Sequence, residues 1–357
     1  MTRQVRMQSK FFLHLIKSAN PEGGGSQRVL YSIIKNSTSS HKVICIKNNT
    51  HKVRALYSPP PIMVFKLIKL ILCGKVAGVV IHDRIFIPLS IITFLLGVRC
   101  FFICHNMFSD FLFLTRWLPL QKIICVSNSV RKHVLESGIK DSKVVVIENG
   151  FYPPSYCSNE REFRHLLEKR NQRVLSGNYH IAFVGRTKKE KGIYDLIDAY
   201  RGIVGEISPT SSISLSIIGQ VDSELTEYIS QSSFREKIKI VGLLDSPFEK
   251  LHAMEIDGVV IPSHHEGFGL VLAEAVAAGV DVYASKIPPF IELSEDLPVV
   301  FFEPRNPVSI KDALLRKRPN DVDINHRFIC SQRMIGRYSF KSMHEKYNDF
   351  FLEEYRA

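Results

Sequence analysis

The 357-residue sequence lacks most features that mark secreted or membrane-spanning proteins. Its seven cysteines include no Cys-x-x-Cys pair and no framework spacing, so we expect reduced core thiols and a cytosolic protein. The longest uncharged stretch, IFIPLSIITFLLGV at 85–98, has 14 residues, whereas a spanning helix needs about 20. We interpret it as a buried helix. The short apolar run FFLHLI has no small-residue cleavage site after it, so we expect no secretory signal.

Signatures of metal and nucleic-acid binding are also missing. No Asp-x-Asp motif lies in a suitable loop, so we expect no metal and no other cofactor. No element interleaves aromatic and basic residues, and no recognition module is visible, which disfavours a nucleic-acid partner. The chain has 45% hydrophobic and 23% charged residues and contains no low-complexity segment, as is typical of a globular protein.

Basic charge is concentrated in the first part of the chain. Residues 1–150 contain 21 Lys and Arg but only 6 Asp and Glu, a net charge of +15. Because the whole chain has a net charge of +12, residues 151–357 are slightly acidic. We expect the first part to present a face to anionic partners, such as phosphorylated ligands, membrane lipid or nucleic acid.

Short apolar runs typical of buried strands alternate with helical patterns, and the alternation starts again near residue 179. Two such series predict an α/β protein with two parallel-sheet, Rossmann-like domains. We place these domains at 1–160 and 179–335, joined by a linker at 161–178. The remaining segment, 336–357, shows apolar residues at helical spacing and predicts a helix that packs back toward the first domain.

Ligands of open α/β sheets bind at the carboxyl ends of the strands, so the residues after each strand are the informative ones. In IAFVGRTKKEKG, a predicted strand ends at Gly185, and Arg186 and Lys191 follow in a basic loop before a helix. Two cations at this place can neutralise a diphosphate and the charge that builds on a leaving group. Taken alone, the segment is equally consistent with a solvated, charged loop.

The segment SHHEGFGLVLAEAVAAG follows another predicted strand and contains two glutamates. Glu266 lies in a Gly-Phe-Gly loop, and Glu274 lies about one turn into a helix of strong helix formers, on a face that can reach a ligand. Carboxylates bind vicinal hydroxyls well. The helix N-terminus predicts an anion site. The amides expected to be free there are those of Phe268, Gly269, Leu270 and Val271.

Together these segments resemble the retaining nucleotide-sugar glycosyltransferases of family 4, which have the GT-B fold of two Rossmann-like domains facing across a cleft. EGFGLVLAE matches the Glu-x7-Glu signature of that family, and VGRTKKEKG matches its arginine and lysine. The resemblance covers nearly the whole chain. Further matches occur in the expected order at NPEGGGSQRVL, ICVSNSVRKHVLESGI, VVVIENGF, SLSIIGQ and KIKIVGLL.

The resemblance implies a role for each matched residue of the second domain. Arg186 and Lys191 would bind the donor diphosphate and stabilise its departure. Glu266, with the amides of Gly267 to Gly269, would orient the donor sugar, and Glu274 would hold the ribose hydroxyls. The other residues implied to bind the donor are Gly24, Gly25, Gly185, Val241 and Leu243.

His105, in FFICHN, matches a histidine that lies near the sugar and the acceptor in this family, which implies a catalytic role. The alternative is a structural histidine at a strand end. In PPPIMVFKLIKLILCGK, Lys66 and Lys69 lie among apolar residues. This helix either contacts an anionic bilayer at the inner face of the cytoplasmic membrane or is a core helix whose lysines face solvent.

The reaction that the resemblance implies is transfer of a sugar from a UDP- or GDP-sugar to a hydroxyl of a glycan or lipid-linked acceptor. The anomeric configuration would be retained and no metal would be needed. The expected setting is the synthesis of bacterial surface polysaccharide or lipopolysaccharide. A non-catalytic nucleotide-sugar sensor or scaffold on the same fold is the alternative.

Overall fold

The computed structural model describes residues 10–20, 24–47, 55–107, 115–206, 212–232, 234–316 and 323–356. The chain divides into two compact units. One comprises Met1–Gly150 and Phe340–Ala357, and the other comprises Phe151–Ser339. Each unit is built around one sheet in which all the strand pairs are parallel. The predicted α/β class with two Rossmann-like domains is therefore confirmed.

The first unit contains a seven-stranded sheet with the order β3-β2-β1-β4-β5-β6-β7. Every residue of the interior strand β1 is buried, as expected for a parallel strand covered on both faces. The strands are β1 (Phe11–Ile16), β2 (Ser40–Cys45), β3 (Ala55–Tyr57), β4 (Val76–Ile81), β5 (Cys100–Cys104), β6 (Lys122–Cys125) and β7 (Val144–Val146). The helices between them are α1 (Gly25–Asn36), α2 (Pro60–Leu72), α3 (Ser90–Leu95) and α4 (Asn128–Glu136).

The second unit contains a six-stranded sheet with the order β10-β9-β8-β11-β12-β13. Its strands are β8 (Asn178–Val184), β9 (Ser212–Ile218), β10 (Ile238–Gly242), β11 (Gly258–Ile261), β12 (Asp281–Ser285) and β13 (Val299–Phe302). Its helices are α5 (Glu160–Leu175), α6 (Ile193–Glu206), α7 (Ser223–Ser230), α8 (Pro247–Lys250), α9 (Leu270–Ala277), α10 (Pro288–Leu293), α11 (Pro307–Arg316) and α12 (Ile324–Tyr338). Short 3-10 turns occupy Arg84–Leu89, Asp141–Lys143, Ser155–Ser158, Lys189–Lys191 and Arg235–Lys237.

The last helix, α13 (Phe340–Arg356), belongs to the first unit, although it follows the second unit in sequence. Its Phe351 ring packs 4.5 Å from the ring of Phe12 on β1, measured between centroids. Near the end of the helix, Arg99 donates a hydrogen bond to the Glu354 carbonyl at 2.6 Å. The apolar face predicted from the sequence therefore covers the first sheet.

The structure differs from the sequence prediction in the segment 161–178. The prediction places a linker there, whereas α5 is an integral helix of the second unit, with Phe163 and Leu167 fully buried. Asn159 caps the helix by accepting a hydrogen bond from the amide of Glu162. The many charged residues of this segment occupy the exposed face of the helix and obscure its apolar stripe.

A second difference concerns the apolar stretch 85–98, for which the sequence predicts a buried helix. The structure has a 3-10 turn at Arg84–Leu89 followed by the short helix α3. Phe86 and Ile87 are buried, but Phe94 and Leu95 are largely exposed. The prediction of a buried helix is therefore wrong for the second half of the stretch. Among the described helices, none combines the length and apolar character needed to cross a bilayer.

A buried ionic cluster connects two helices of the second unit to the start of β12. Asp281 is fully buried, and its carboxylate accepts hydrogen bonds from Arg170 on α5 and, at 2.5 Å, from Arg327 on α12. The hydroxyl of Tyr179 on β8 donates to the same carboxylate at 2.7 Å. Because both guanidinium groups are also buried, this carboxylate is their necessary counter-charge.

We predict that Asp281→Asn lowers the free energy of unfolding by about 3 kcal/mol or more, because it removes the buried carboxylate that both buried guanidinium groups contact. Urea titration followed by circular dichroism measures the change. The control is Glu224→Gln, which removes an exposed ion pair with Lys189 in the same unit and is expected to change stability little. Equal stability of the two variants would contradict the role assigned to Asp281.

Candidate functional site

Glycines terminate three neighbouring strands of the second unit at their carboxyl ends. Gly185 follows β8, Gly219 follows β9, and Gly242 is the last residue of β10. Their φ angles are 147°, 156° and 85°. The Gly219 amide donates to the Gly242 carbonyl at 2.9 Å, and a Cβ on Gly219 would lie 1.8 Å from the Gly185 oxygen. This edge is therefore lined by backbone, and a ligand can approach it closely.

The loop after β8 lies directly against the loop after β11, the next strand in the sheet. Gly192, in the left-handed conformation with φ 69°, makes this contact, since a Cβ there would lie 1.9 Å from the carbonyl oxygen of Pro262. The Lys189–Lys191 turn precedes this glycine, and α6 follows it. The approach brings the basic loop next to the segment that contains Glu266.

The contact forms an ion pair between two of the predicted catalytic residues. Lys191 Nζ lies 2.5 Å from Glu266 Oε1, and the two side chains are only 22% and 19% exposed. Ser263 Oγ donates to the same carboxylate oxygen at 2.9 Å. The pair holds a cation and an anion together at the carboxyl edge of the sheet, where partial burial strengthens their interaction.

A second polar contact joins the same two loops and is not evident in the sequence. His264 Nε2 lies 2.6 Å from Asp195 Oδ2 on α6, and the His264 amide donates to the Glu190 carbonyl at 3.0 Å. These contacts fix the backbone immediately before Glu266. No spacing rule connects His264 with Asp195, and Ser263 belongs to no motif of its own, so Asp195, Ser263 and His264 are site residues that sequence reasoning missed.

The helix N-terminus after Glu266 lies one residue later than predicted. The first hydrogen bond of α9 runs from the Ala273 amide to the Gly269 carbonyl at 3.1 Å. Helix geometry therefore leaves the amides of Gly269, Leu270, Val271 and Leu272 without helical acceptors, rather than a set beginning at Phe268. Instead, the buried Phe268 ring packs edge-on against Tyr338, with 5.4 Å between centroids. Gly267 immediately precedes it and is also buried.

The remaining predicted residues of this unit differ in exposure. Glu274 is 3% exposed and lies on α9. Arg186 follows Gly185 but is exposed, and the described residues provide no ion-pair partner for it. Val241 and Leu243 flank Gly242 at the end of β10, the former half-buried and the latter exposed. Of the residues predicted for the donor site, Lys191 and Glu266 are thus in direct contact with each other.

The other predicted residues belong to the first unit. Gly24, with φ 144°, precedes α1, and Gly25 is the first residue of that helix. His105 follows β5, and its Nε2 lies 3.1 Å from Nδ1 of His82, which follows β4. Burial lowers the pKa of His105 to about 4. Within the described ranges, no group of three or more His, Cys, Asp or Glu residues is arranged to hold a metal ion.

Two family models match the chain, one in each half. The model for glycosyltransferase family 4 matches residues 23–153, and the model for glycosyl transferases group 1 matches residues 167–328. The chain therefore carries both types of domain, in the order that the sequence motifs predict.

Curated relatives include two polysaccharide glycosyltransferases. Capsular polysaccharide biosynthesis glycosyltransferase CapM of Staphylococcus aureus is 24% identical over 243 residues, which cover 65% of this chain and 62% of CapM. O-antigen biosynthesis glycosyltransferase WclY of Escherichia coli is 23% identical over 251 residues, which cover 66% of this chain and 64% of WclY. The matched region thus spans less than two thirds of the length of these relatives.

Among solved structures, HepE from Anabaena in complex with UDP-glucose has a TM-score of 0.75 and 17% sequence identity. The match covers 96% of this chain and 99% of HepE. At this identity the likeness is evidence for the fold alone. The structural neighbours are GT-B glycosyltransferases, so the predicted GT-B fold class is confirmed.

We predict that Gly192→Ala destabilises the protein by at least about 2 kcal/mol, because alanine disfavours the left-handed conformation and its Cβ would collide with the Pro262 carbonyl. Thermal unfolding measures the change. The control is Gly205→Ala on α6, where a Cβ has no neighbour within 4 Å and helix propensity favours alanine. If Gly192→Ala were as stable as Gly205→Ala, the close approach of the two loops would be incorrect.

Proposed function

We propose that this chain, which carries the two domains of GT-B glycosyltransferases, transfers a sugar from a UDP- or GDP-sugar to a hydroxyl of a glycan or lipid-linked acceptor. The observation that carries the proposal is the Lys191–Glu266 ion pair, at the carboxyl ends of two neighbouring strands and next to the N-terminus of α9. This edge of an α/β sheet is where such folds bind nucleotides.

The donor diphosphate would bind where positive charge and free amides coincide. Lys191 and the exposed Arg186 follow β8, and α9 directs its first amides toward the same edge. Cations and amides in these positions stabilise the negative charge that builds on the leaving diphosphate as the bond to the sugar breaks. Gly185 leaves room for the phosphates because it has no side chain.

The two glutamates would bind the two ends of the donor. Glu266 can accept hydrogen bonds from sugar hydroxyls, and we assign Glu274 to the ribose hydroxyls. Val241 and Leu243, beside Gly242, are our candidates for the base. The relative with the UDP-glucose complex supports a nucleotide-sugar donor.

We propose that the anomeric configuration is retained and that no metal is required. A double-displacement mechanism needs two carboxyl groups about 5 Å apart, one of them a nucleophile. Here Glu266 is paired with Lys191, and Glu274 is buried on α9, so neither is placed as a free nucleophile. We favour front-face attack, in which the leaving phosphate takes the proton of the acceptor hydroxyl and Lys191 and Arg186 stabilise the developing charge.

The relatives that act in capsular polysaccharide and O-antigen synthesis support a role in making a bacterial surface polysaccharide or lipopolysaccharide. The lipid-linked acceptor that we propose would place the protein at a bilayer. Ile62, Phe65, Lys69 and Leu72 form one exposed stripe along α2, with Phe65 67% and Leu72 70% exposed. We propose that this stripe and the basic charge of the first unit contact an anionic membrane.

Lys66 is less suited than Lys69 to contact lipid. Its Nζ donates to the Tyr57 carbonyl at 3.2 Å and to Ser58 Oγ at 2.7 Å, so it anchors α2 to the segment after β3. Lys69 is exposed on the same stripe as Phe65 and Leu72. Of the two alternatives for this helix, the exposed apolar stripe favours membrane contact over a core helix.

The donor site is tested by screening UDP- and GDP-sugars for thermal stabilisation and then for turnover. At 100 times its dissociation constant a donor adds about 2.7 kcal/mol to the stability of the protein. We expect Lys191→Met and Arg186→Ala each to reduce kcat/KM at least about 100-fold, because each removes a cation beside the leaving phosphate. The control is Lys188→Met, an exposed lysine in the same loop.

Three results would count against this assignment. Equal losses of kcat/KM in Lys188→Met and Lys191→Met would show that the total charge of the loop matters and that the position of Lys191 does not. If no nucleotide sugar stabilised the protein, the donor site would be incorrect. Binding of a donor without turnover with any acceptor would instead favour the sensor or scaffold.

The membrane surface is tested with vesicles of phosphatidylglycerol and phosphatidylcholine. We expect the double variant Phe65→Asp, Leu72→Asp to reduce co-sedimentation with anionic vesicles at least about 10-fold, because it removes two apolar anchors and adds two negative charges. The control is Leu175→Asp, an exposed leucine at the end of α5 in the second unit. Unchanged vesicle binding by the double variant would refute the surface.

A further inference from the structure

The loop that carries Glu266 belongs to no helix or strand, so side-chain contacts must hold it. It covers residues 262–269, between β11 and α9. Phe268, two residues after Glu266, is buried, and its ring packs edge-on against Tyr338 with 5.4 Å between centroids. This contact holds the loop on the side that leads into α9. The residues before Glu266 require an anchor of their own.

Asp195 and His264 form a contact on that other side. His264 lies two residues before Glu266, and its Nε2 is 2.6 Å from Asp195 Oδ2. A carboxylate oxygen only accepts hydrogen bonds, so His264 Nε2 is the donor. The side chains of His264 and Asp195 are 18% and 22% exposed, and this partial burial strengthens their interaction. The His264 amide also donates to the Glu190 carbonyl at 3.0 Å, so both its ring and its backbone are held.

Asp195 has a well-defined position because it lies in the first turn of α6. That helix begins directly after Gly192, whose close approach to the Pro262 carbonyl places the first turn beside the loop. The contact with His264 therefore fixes an irregular segment to a regular element, which positions functional groups more accurately than a loop alone. An aspartate in the first turn also interacts favourably with the helix dipole, so Asp195 has a second, purely local role.

The anchored residue is directly connected to the partners of Glu266. Ser263, which donates to Glu266 Oε1 at 2.9 Å, immediately precedes His264 in the chain. If His264 were released, Ser263 and the backbone of Glu266 would be free to move together. The carboxylate of Glu266 would then keep its Lys191 partner but lose its fixed position. Displacement of a catalytic group by about 1 Å can lower a rate about 100-fold.

We propose that Asp195 is a positioning residue, which holds His264 and thereby keeps the carboxylate of Glu266 where it meets the donor sugar. This inference rests on the proposed function, in which Glu266 accepts hydrogen bonds from sugar hydroxyls. The diphosphate is assigned there to Lys191 and Arg186. Loss of the anchor should therefore impair the reaction at the sugar and leave binding of the nucleotide nearly unchanged.

The kinetic test is Asp195→Ala with the donor found by screening. We expect kcat to fall at least about 10-fold, because the carboxylate of Glu266 is no longer held in position. The KM of the donor and the inhibition constant of UDP or GDP should change by less than about 2-fold, since the nucleotide contacts remain. The control is Asp198→Ala on the same helix, which removes contacts with Arg201 and Tyr228 and should keep kcat.

His264→Ala separates the anchor from the effect on the helix dipole. This variant removes the same contact from the side of the loop and leaves Asp195 in the first turn of α6. We expect its kcat to match that of Asp195→Ala, and the double variant to lose no more than either single variant. Normal kcat in His264→Ala would show that Asp195 acts only within its helix, which would overturn the proposal.

A double-mutant cycle tests whether Asp195 acts through Glu266. In a Glu266→Gln background we expect Asp195→Ala to lower kcat by less than about 2-fold, because the group that it positions has already been removed. An equal loss of kcat in both backgrounds would overturn the proposal. So would a weakening of UDP and GDP inhibition as large as the loss of kcat, since that result would indicate damage to the whole site.

Hydrogen exchange followed by mass spectrometry tests the anchor without a substrate. We expect amides of residues 263–267 to exchange at least about 5-fold faster in Asp195→Ala than in Asp198→Ala, because the loop opens more readily. Equal exchange in the two variants would overturn the positioning role. If exchange rises as expected but the unmodified protein turns over no nucleotide sugar, the anchor is supported and the proposed function fails. Faster exchange with unchanged kcat would overturn the positioning role while glycosyl transfer stands.

Discussion

The direct parallel pairing of β8 with β11 is the constraint on which the candidate site depends. These strands are distant in sequence, but their carboxyl ends are adjacent, so the loop with Lys191 and the loop with Glu266 leave the sheet side by side. The loops touch because Gly192 has no side chain where it meets the Pro262 carbonyl. The ion pair, its serine partner and the start of α9 follow from this approach, since each is attached to one of the two loops.

The two units use different electrostatic means to satisfy buried polar groups. The second unit encloses full charges, with two arginines neutralised by Asp281. The first unit instead contains four histidine rings, those of His41, His14, His82 and His105, which contact one another across neighbouring strands. A charged cluster holds helices firmly because removing one partner leaves an uncompensated charge.

The fold could be predicted largely from apolar runs, because buried parallel strands such as GVVI and CFFIC are continuous and bounded by loop residues. The positions of Lys191 and Glu266 were predictable because both follow strands. Their direct pairing was not, because it requires the order of strands in the sheet. The exposure of side chains was predicted least well. Hydrophobicity alone predicted that Phe94 and Leu95 are buried, and the many charged residues of α5 gave no indication that Phe163 is buried. The contacts among His41, His14, His82 and His105 depend on register across four strands, which no local pattern contains.

The last helix makes the first unit discontinuous in sequence. α13 follows the whole of the second unit along the chain, yet it belongs to the first unit and its Phe351 ring packs on Phe12 of β1. During synthesis, the first sheet therefore receives this cover only after residues 151–339 have been made. Completion of the first unit is thus coupled to the presence of the second.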